Sequence, residues 1–239
     1  KAGGARSANT DGDMAETVTV SANQNAVFSI VKYIGDGSAA TVGHGLSAAP
    51  ELIMVKNIDQ ADAWQVYHAD NTSAPETDYM VLDTTAATSD AADRWNDTAP
   101  TSSVFTIGDA VEVNTDDENY IAYCFHSVDG FSKIGSYTGN ANADGTFIYT
   151  GFAPAYVIRK RTNGANAWPI NDTARNPYNL ANYVVLANTS AADTSADNEI
   201  DFLSNGFKLR ATDTHGNASD GIYLYMAFAA TPFKNANAR

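Results

Sequence analysis

The two halves of the chain repeat the same pattern of residues, and this repetition constrains the fold most strongly. The segment FSIVKYIGDG, which begins at Phe28, returns as FSKIGSYTGN at Phe131, 103 residues later. Further matches at shifts of 102 to 104 residues pair Tyr33 with Tyr137, Gly35 with Gly139, Pro50 with Pro154, Lys56 with Lys160, Trp64 with Trp168, Phe105 with Phe207, and YIAYCF (120–125) with YLYMAF (223–228). Because self-similarity at a fixed period marks a repeated structural unit, the sequence predicts two copies of one unit.

The boundaries of the two copies follow from the same matches. We expect residues 1–27 to be a linker and leading strand from a longer chain, since the chain begins at Lys1 in a polar segment and ETVTVSA (16–22) alternates like a strand. The first repeat covers residues 28–129 and the second covers 130–239. Asp129 and Gly130 form an Asp-Gly turn signal at the junction, so the connection is a short turn.

The apolar residues inside each copy alternate with a period of two rather than 3.6. The runs are short, rich in β-branched and aromatic residues, and bounded by Gly, Asn, Asp and Ser. Examples are LIMVK (52–56), WQVYH (64–68), YMVLD (79–83), SVFTI (103–107), YVIRK (156–160) and GFKLR (206–210). The sequence therefore predicts an all-β fold of two tandem β-sandwich-like units.

The charge and cysteine content exclude several classes of protein. Lys and Arg number 14 and Asp and Glu 28, which gives a net charge of -14 and makes nucleic acid and anionic membrane poor partners. No apolar run approaches the roughly 18 residues of a membrane helix, so no membrane insertion is expected. The one cysteine, Cys124, lies in an apolar run and is expected to be a small buried hydrophobe.

A search for catalytic and cofactor motifs finds little. GxxxxGK[ST], HExxH, GxSxG and CxxC are absent, and Gly43–Ala48 matches G-x-G-x-x-A only by accident, because a strand pattern follows it. The four histidines are scattered, so no metal site is expected. The run Asp116–Glu118 could act as an acid-base pair or bind calcium, but a solvated turn is the favoured interpretation. We expect no catalytic residues, no cofactor and no enzymatic activity.

Candidate binding residues lie in two loops that differ between the copies, residues 84–100 and 188–199. Trp95 stands in the polar stretch DRWNDTAP without a repeat partner, which favours an exposed aromatic contact, whereas Trp64 and Trp168 match each other and are expected in the core. The candidate receptor-binding residues are Trp95, Arg94, Asn96, Asp193 and Asn198. Arg159–Arg161 is the only basic cluster, and pairing with the chain's own acids is favoured over binding of an anion.

Several strings of the chain resemble one family. TVGHGLSAAPELIMVKN (41–57), WNDTAPTSSVFTIG (95–108), NYIAYCFHSVDGFSKIGSYTGN (119–140), NDTARNPYN (171–179) and IDFLSNGFKLRATD (200–213) look like an uncharacterised two-repeat β domain at the C-terminus of tailed-phage, often marine, tail-fibre and structural proteins. The resemblance covers about residues 28–233. It implies a virion protein, assembled in the host cytoplasm, and it carries no catalytic residues to this chain.

Three functions remain open at this point. The leading one is a tail-fibre or adhesin module that binds a host-surface glycan or outer-membrane protein. The second is a capsid decoration or head-fibre protein with a structural role. The third is a polysaccharide depolymerase with carboxylates from residues 109–118, which is disfavoured because no carboxylate pair recurs in the second copy. Exposed strand edges favour a homo-oligomer, a trimer being the usual phage solution, together with contacts to other virion proteins.

Overall fold

The structure, a computed structural model, describes residues 3–195 and 199–231. It contains two compact units. Unit 1 consists of Lys1–Leu82 and Thr88–His126, and unit 2 consists of Asp83–Ala87 and Ser127–Arg239. Each unit has its own cluster of buried apolar side chains.

Within the described residues the chain forms strands, two one-turn α-helices and one 3-10 turn, Pro75–Thr77. The elements of unit 1 are β1 (Ser7–Asn9), β2 (Val18–Asn23), β3 (Phe28–Ile34), β4 (Ala40–Gly43), β5 (Leu52–Asn57), β6 (Gln65–His68), β7 (Asp78–Val81), β8 (Ser89–Asp90), α1 (Ala92–Trp95), β9 (Val104–Ile107), α2 (Val111–Asn114) and β10 (Asn119–Phe125). Those of unit 2 are β11 (Ser132–Thr138), β12 (Phe147–Tyr149), β13 (Pro154–Arg161), β14 (Pro169–Asp172), β15 (Val185–Leu186), β16 (Ile200–Leu203), β17 (Gly206–Leu209) and β18 (Ile222–Ala229). None of the described helices is long and apolar enough to cross a membrane.

The strands of unit 1 pair antiparallel in one large sheet and one ribbon. The sheet has the order β1-β2-β3-β10-β5-β6-β7-β8, and β4 pairs with β9 alone. In β3 and β10 buried and half-buried positions alternate along the whole strand, because one face of the sheet covers the core.

Unit 2 uses a closely similar arrangement. Its larger sheet has the order β11-β18-β13-β14-β15, which matches β3-β10-β5-β6-β7 of unit 1 strand by strand. The pair β12 and β17 stands where unit 1 has β4 and β9, and β16 is added beyond β17. The predicted all-β class is therefore confirmed, and the duplication of sequence stays a prediction to which the matching strand orders lend support.

The predicted leading segment takes part in the fold of unit 1. Residues 7–9 and 18–23 form β1 and β2, which extend the large sheet beyond β3. Val18 and Val20 are buried in the core of unit 1, because alternation along β2 points both toward it. The first polar half of the segment, interpreted from the sequence as a linker, also contributes β1.

Two buried tyrosines stack face to face in the core of unit 1. The rings of Tyr33 on β3 and Tyr120 on β10 lie 5.2 Å apart with 10° between their planes. The hydroxyl of Tyr33 donates to the carbonyl of Val113 at 2.7 Å, and that of Tyr120 donates to the carbonyl of Val111 at 2.6 Å. Burial raises the pKa of both phenols, so both remain protonated donors. The pair therefore ties the sheet to α2.

Unit 2 contains the same pair. Tyr137 on β11 and Tyr223 on β18 stack at 5.0 Å with 10° between their planes. Their hydroxyls donate to the carbonyls of Gly216 and Thr214 at 2.9 and 2.8 Å. Phe207 meets the ring of Tyr137 edge-on, as Phe105 meets Tyr33 in unit 1. The loop before β18 is thus held to the sheet in the same way as α2 is.

In each unit a buried asparagine lies in the segment to which the tyrosine hydroxyls donate. The amide of Asn114 donates to the carbonyl of Gly108 at 3.0 Å and accepts from the backbone N–H of Asp36 at 2.9 Å. Asn217 donates to the carbonyls of Asn142 and Ala211 at 2.9 and 2.8 Å, and accepts from the N–H of Asn140. The sequence analysis missed both residues.

A glycine lies against each asparagine-bearing loop, and the approach is closer than a side chain permits. A Cβ on Gly35 would lie 2.2 Å from the carbonyl oxygen of Thr115, and one on Gly139 would lie 2.4 Å from that of Ala218. The matched glycines are therefore required by the space available.

Other predicted core residues are confirmed with one difference. Trp168 and Cys124 are buried, and burial raises the pKa of the Cys124 thiol to about 12. Trp64 is only half-buried and stacks with Tyr123 at 6.1 Å. Its ring thus covers the sheet rather than filling the centre of the core.

Lys160 is fully buried in unit 2, although it belongs to the basic cluster. Its ammonium donates to the carbonyls of Asn166 and Thr85, and it lies 5.6 Å from the ring centre of Trp168. Neighbouring Arg159 is buried as well and donates to the side-chain carbonyl of Asn171 at 2.6 Å. Burial lowers the pKa of Lys160 from its ordinary 10.5 to about 8.

We expect removal of one phenol hydroxyl to destabilise the protein measurably. Tyr120→Phe leaves the N–H of Thr115 without its acceptor and removes one of the two donors to the carbonyl of Val111, which should lower the free energy of unfolding by about 1–3 kcal/mol. Urea unfolding followed by circular dichroism measures this. Tyr178→Phe removes the same atom from an exposed ring and should leave the urea concentration at the midpoint of unfolding unchanged. An equal loss of stability in both variants would contradict the role assigned to the Tyr120 hydroxyl.

The buried lysine predicts a pH dependence of stability. Because the folded state holds the Lys160 proton less tightly than the unfolded chain does, the unfolded state binds more protons between the folded pKa of about 8 and 10.5. Stability attributable to this residue should therefore rise with pH from 8 toward 10. Urea unfolding of the protein and of Lys160→Met, measured across this pH range, gives the difference in their free energies of unfolding. If both free energies changed with pH in parallel, the prediction would be refuted.

Candidate functional site

Trp95 lies in the core of unit 1, not on its surface. The indole is 2% exposed, donates from Nε1 to the carbonyl of Asp78 at 3.1 Å, and meets Tyr67 edge-on at 6.0 Å. The single turn of α1 directs the ring inward although its neighbours in sequence are polar. The prediction of an exposed aromatic contact at Trp95 is therefore wrong.

Arg94 is also committed to contacts within unit 1. Its guanidinium pairs with Asp93 at 2.7 Å and Glu112 at 3.2 Å, donates to Gln65 at 3.2 Å, and lies 4.7 Å over the ring of Tyr79. The residue is 9% exposed. These contacts anchor α1, so the prediction of a receptor contact at Arg94 is corrected to a structural role.

The other three candidate residues have different positions. Asn96 is exposed in the left-handed conformation that ends α1, with φ of 50°, and lines a shallow groove with Asp93 and Asp109. Asp193 is exposed in unit 2. Asn198 lies outside the residues that the structure describes. A receptor contact at Asn96, Asp193 or Asn198 stays a prediction.

The motifs considered for chemistry have structural partners. His44 is buried; its Nδ1 accepts from the N–H of Leu46 at 3.1 Å, and burial lowers its pKa. Glu118 accepts from the amides of Asn57 and Gln60. In residues 3–195 and 199–231, no group of three or more His, Cys, Asp or Glu side chains is placed to hold a metal ion.

Large exposed apolar side chains concentrate in unit 2. Among the described residues of unit 2 they are Phe147, Tyr149, Tyr178, Leu180, Tyr183 and Ile222, whereas unit 1 exposes Ile58 and Val111. Tyr178 is the most exposed, at 83%. Unit 2 is therefore the part of the described chain where large apolar side chains most often meet solvent.

Tyr178 stands at the rim of a groove of about 440 Å³, which we call the Tyr178 groove. Its lining includes Thr173, Asn176, Pro177, Tyr178, Phe202 and Ser204. One wall is the loop after β14 and the other is the hairpin of β16 and β17. Aromatic, proline and hydroxyl groups therefore meet in one concave surface.

Side-chain hydrogen bonds hold the first wall in place. Asp172 accepts from the backbone N–H groups of Ala174 and Arg175 at 3.0 and 2.8 Å, and it pairs with the Arg175 guanidinium. Burial opposes ionisation of Asp172, but these donors together hold its pKa below the usual value. The carboxylate therefore stays ionised and fixes the start of the loop.

Asn179 fastens the loop to the second wall. Its amide accepts from the N–H of Phe202 and donates to the carbonyl of Phe202, both at 2.9 Å. Asn176 accepts from the N–H of Tyr183 at 2.8 Å. The amide oxygens of both asparagines are thus engaged by backbone N–H groups, and Tyr178, Thr173 and Ser204 also line the groove.

The residues that line the groove are all uncharged. A sugar ring presents C–H groups that pack on an aromatic face and hydroxyls that bond to Ser, Thr and backbone groups. The sequence analysis quoted NDTARNPYN but did not select Tyr178. The available signal was an aromatic residue between Pro and Asn that falls on Ala74 at the shift of 104 residues.

We expect Trp95→Ala to weaken folding rather than binding. Loss of a buried indole should lower the free energy of unfolding by about 3–5 kcal/mol. The neighbouring Asn96→Gly is the control: its backbone has positive φ, which glycine adopts freely, so its stability should be unchanged or slightly higher. Urea unfolding compares the two, and a Trp95→Ala protein as stable as the parent would disprove the core assignment.

The chain was compared with known families, curated proteins and solved structures. No curated protein and no solved structure matches it. One family matches residues 1–232, described as a domain of unknown function, DUF7483. Since this match covers nearly the whole chain, including both units and the Tyr178 groove, the chain belongs to the DUF7483 family.

Proposed function

We propose that this chain is a non-enzymatic, cell-surface binding module of a bacteriophage virion, part of a tail fibre or adhesin, and that its Tyr178 groove holds a host-surface saccharide. The observation that carries the binding site is the 83% exposed ring of Tyr178 beside a groove of about 440 Å³. A ring held so far out of the core gains nothing for folding, because the apolar surface stays in water.

The rigid support of this ring favours a binding role. The loop that carries Tyr178 is fixed at one end by Asp172 and at the other by the clamp of Asn179 on Phe202. Binding to a surface that is already ordered avoids the entropic cost of fixing a loop. Loops on a rigid β scaffold are where binding residues commonly lie.

The virion assignment is supported by the sequence. The strings that resemble phage tail-fibre and structural proteins run through both units, and NDTARNPYN carries Tyr178 itself. The net charge of -14 disfavours binding to nucleic acid and is compatible with neutral saccharides. The all-β fold places long loops at the surface of a stable frame.

We expect Tyr178→Ala to weaken saccharide binding about tenfold or more, because stacking on the ring is lost. The probes are immobilised bacterial surface oligosaccharides and polysaccharides, and binding of the labelled full chain is measured on each. Tyr178→Phe keeps the stacking face and should bind within a few-fold of the parent.

Tyr183→Ala is the matched control. Tyr183 is 44% exposed in the same loop but does not line the groove, so its removal should leave binding unchanged. Equal losses in Tyr178→Ala and Tyr183→Ala, or binding unaffected by Tyr178→Ala, would place the binding site elsewhere. Absence of binding to every saccharide in the panel would overturn the saccharide assignment.

A structural virion component, such as a capsid decoration or head-fibre protein, is the second candidate. The exposed edge strands of unit 2 favour it, since such edges promote assembly between chains. Electron microscopy of the particle separates the two. Density at the tip of a fibre supports the adhesin, and density spread over the capsid lattice supports the structural component.

A further inference from the structure

The two units differ in what covers the edges of their sheets. In unit 1, residues 3–23 form an N-terminal arm, and its strand β2 pairs with the edge of β3. Thr19, Ser21 and Asn23 lie opposite Lys32, Ile30 and Phe28. These three residues of β3 face β2, because the alternate residues bond to β10 on the other side.

The same arm also covers the edge of β4. Gly12 lies opposite Val42, and the N–H of Asp13 donates to the carbonyl of Thr41 at 3.1 Å. The carboxylate of Asp13 accepts from the N–H and the hydroxyl of Thr41 in return. One arm of 21 residues therefore closes two edges of unit 1.

In unit 2 the strand that corresponds to β3 is β11, and half of its edge is open. Phe131 and Gly139 bond to Ala229 and Gly221, so the odd-numbered residues of β11 face β18 and the even-numbered ones face away. Residues 127 and 128 cover the beginning, through Ser132 and Ile134. Ser136 and Thr138 are exposed, and no strand of the described chain pairs with them; the carbonyl of Thr138 accepts only from the hydroxyl of Thr146, at 2.9 Å.

The strand that corresponds to β4 is β12, and its edge is open too. Thr146 and Thr150 bond to β17 and its turn, so the backbone groups of Phe147 and Tyr149 face away from β17. These are the positions of Thr41 and Gly43 in unit 1, which the arm covers. No described residue of unit 2 bonds to them, and their side chains are 43% and 65% exposed.

The turn after each of these strands shows where the arm's side chains pack. A Cβ on Gly45 of unit 1 would lie 2.9 Å from a methyl group of Val20, so this buried arm residue packs on the glycine. Gly151 takes the corresponding place in unit 2, also with positive φ, and the hydroxyl oxygen and nearest ring carbons of exposed Tyr149 lie 3.7 and 3.9 Å from its Cβ position. The exposed side chain of Tyr149 thus lies in unit 2 where unit 1 receives Val20.

The described chain holds no corresponding arm directly before β11. Strand β10 ends at Phe125 and β11 begins at Ser132, so only residues 126–131 separate the two strands. We propose that the open edges of β11 and β12 form a docking surface for one extended segment of another polypeptide, whose strand on β11 has the alternation of small polar and β-branched residues seen in β2. This proposal does not depend on saccharide binding.

Strand addition explains both openings with one partner. An added strand gains main-chain hydrogen bonds from the edge and specificity from alternate side chains, as in other proteins that bind extended peptides. In the register of unit 1, the residue equivalent to Thr19 would lie opposite Ser136, beyond the positions that residues 127 and 128 cover. The residue equivalent to Val20 would then pack beside Tyr149 and reduce its exposure.

The test uses the full protein and a synthetic peptide of residues 3–26 of this chain as the probe. We expect the amides of Ser136 and Thr138 to exchange rapidly in the protein alone and to become protected when the peptide is added, as measured by NMR hydrogen exchange. A peptide with Thr19→Pro and Ser21→Pro lacks two strand donors and should bind roughly tenfold more weakly or worse.

A protein variant supplies the matched control. Ser136→Pro removes an N–H from an edge position, where proline is tolerated, and should abolish protection at Thr138, whereas Ser136→Ala should behave like the parent. The proposal is overturned by rapid exchange at both amides with about 1 mM peptide. It is equally overturned by amides protected before any peptide is added, or by effects confined to Ile30 and Lys32, which would mean that the peptide displaces β2.

Discussion

The stacked tyrosine pair is the interaction on which each unit depends. Two phenol hydroxyls buried in an apolar core each need a hydrogen-bond acceptor. In both units each hydroxyl donates a hydrogen bond to a carbonyl of the segment packed over the sheet. This requirement positions α2 in unit 1 and the corresponding loop in unit 2. The asparagine of that segment then bonds to the turn after the first strand of the pair, so sheet, turn and loop form one hydrogen-bonded frame.

Much of this frame was predictable, because repetition in the sequence singles out residues that burial later explains. Tyr33 and Tyr137 were matched from the sequence, and so were Phe105 and Phe207, which meet the tyrosines edge-on. Asn114 and Asn217 are also 103 residues apart, yet they escaped notice. A polar residue before a strand looks like a turn residue, and its burial depends on long-range contacts that local pattern does not contain.

The candidate site was predicted less well, and Trp95 shows why. Polar neighbours suggested exposure, but one helical turn places the indole beneath them and gives its N–H a carbonyl acceptor. Local composition reports the surroundings in sequence, whereas burial depends on the surroundings in space. Tyr178 is the opposite case, an exposed aromatic residue that was not selected, because Pro177 and Asn179 on either side of it are typical of any loop.

The residues that differ between the two units are the ones that indicate a function. Both units share certain residues, such as the tyrosine pair and the close-packed glycines. These residues hold the sheet, the turn and the loop together, so their role in folding explains them. Residues that differ have no such requirement: Tyr178 replaces Ala74, and Phe147 and Tyr149 stand where unit 1 has Thr41 and Gly43 beneath its arm. Unit 1 closes its edges with its own chain, so the exposed aromatic surface of the described chain falls mostly on unit 2. The frame does not need this surface, and both of our proposals assign it to contact with another molecule.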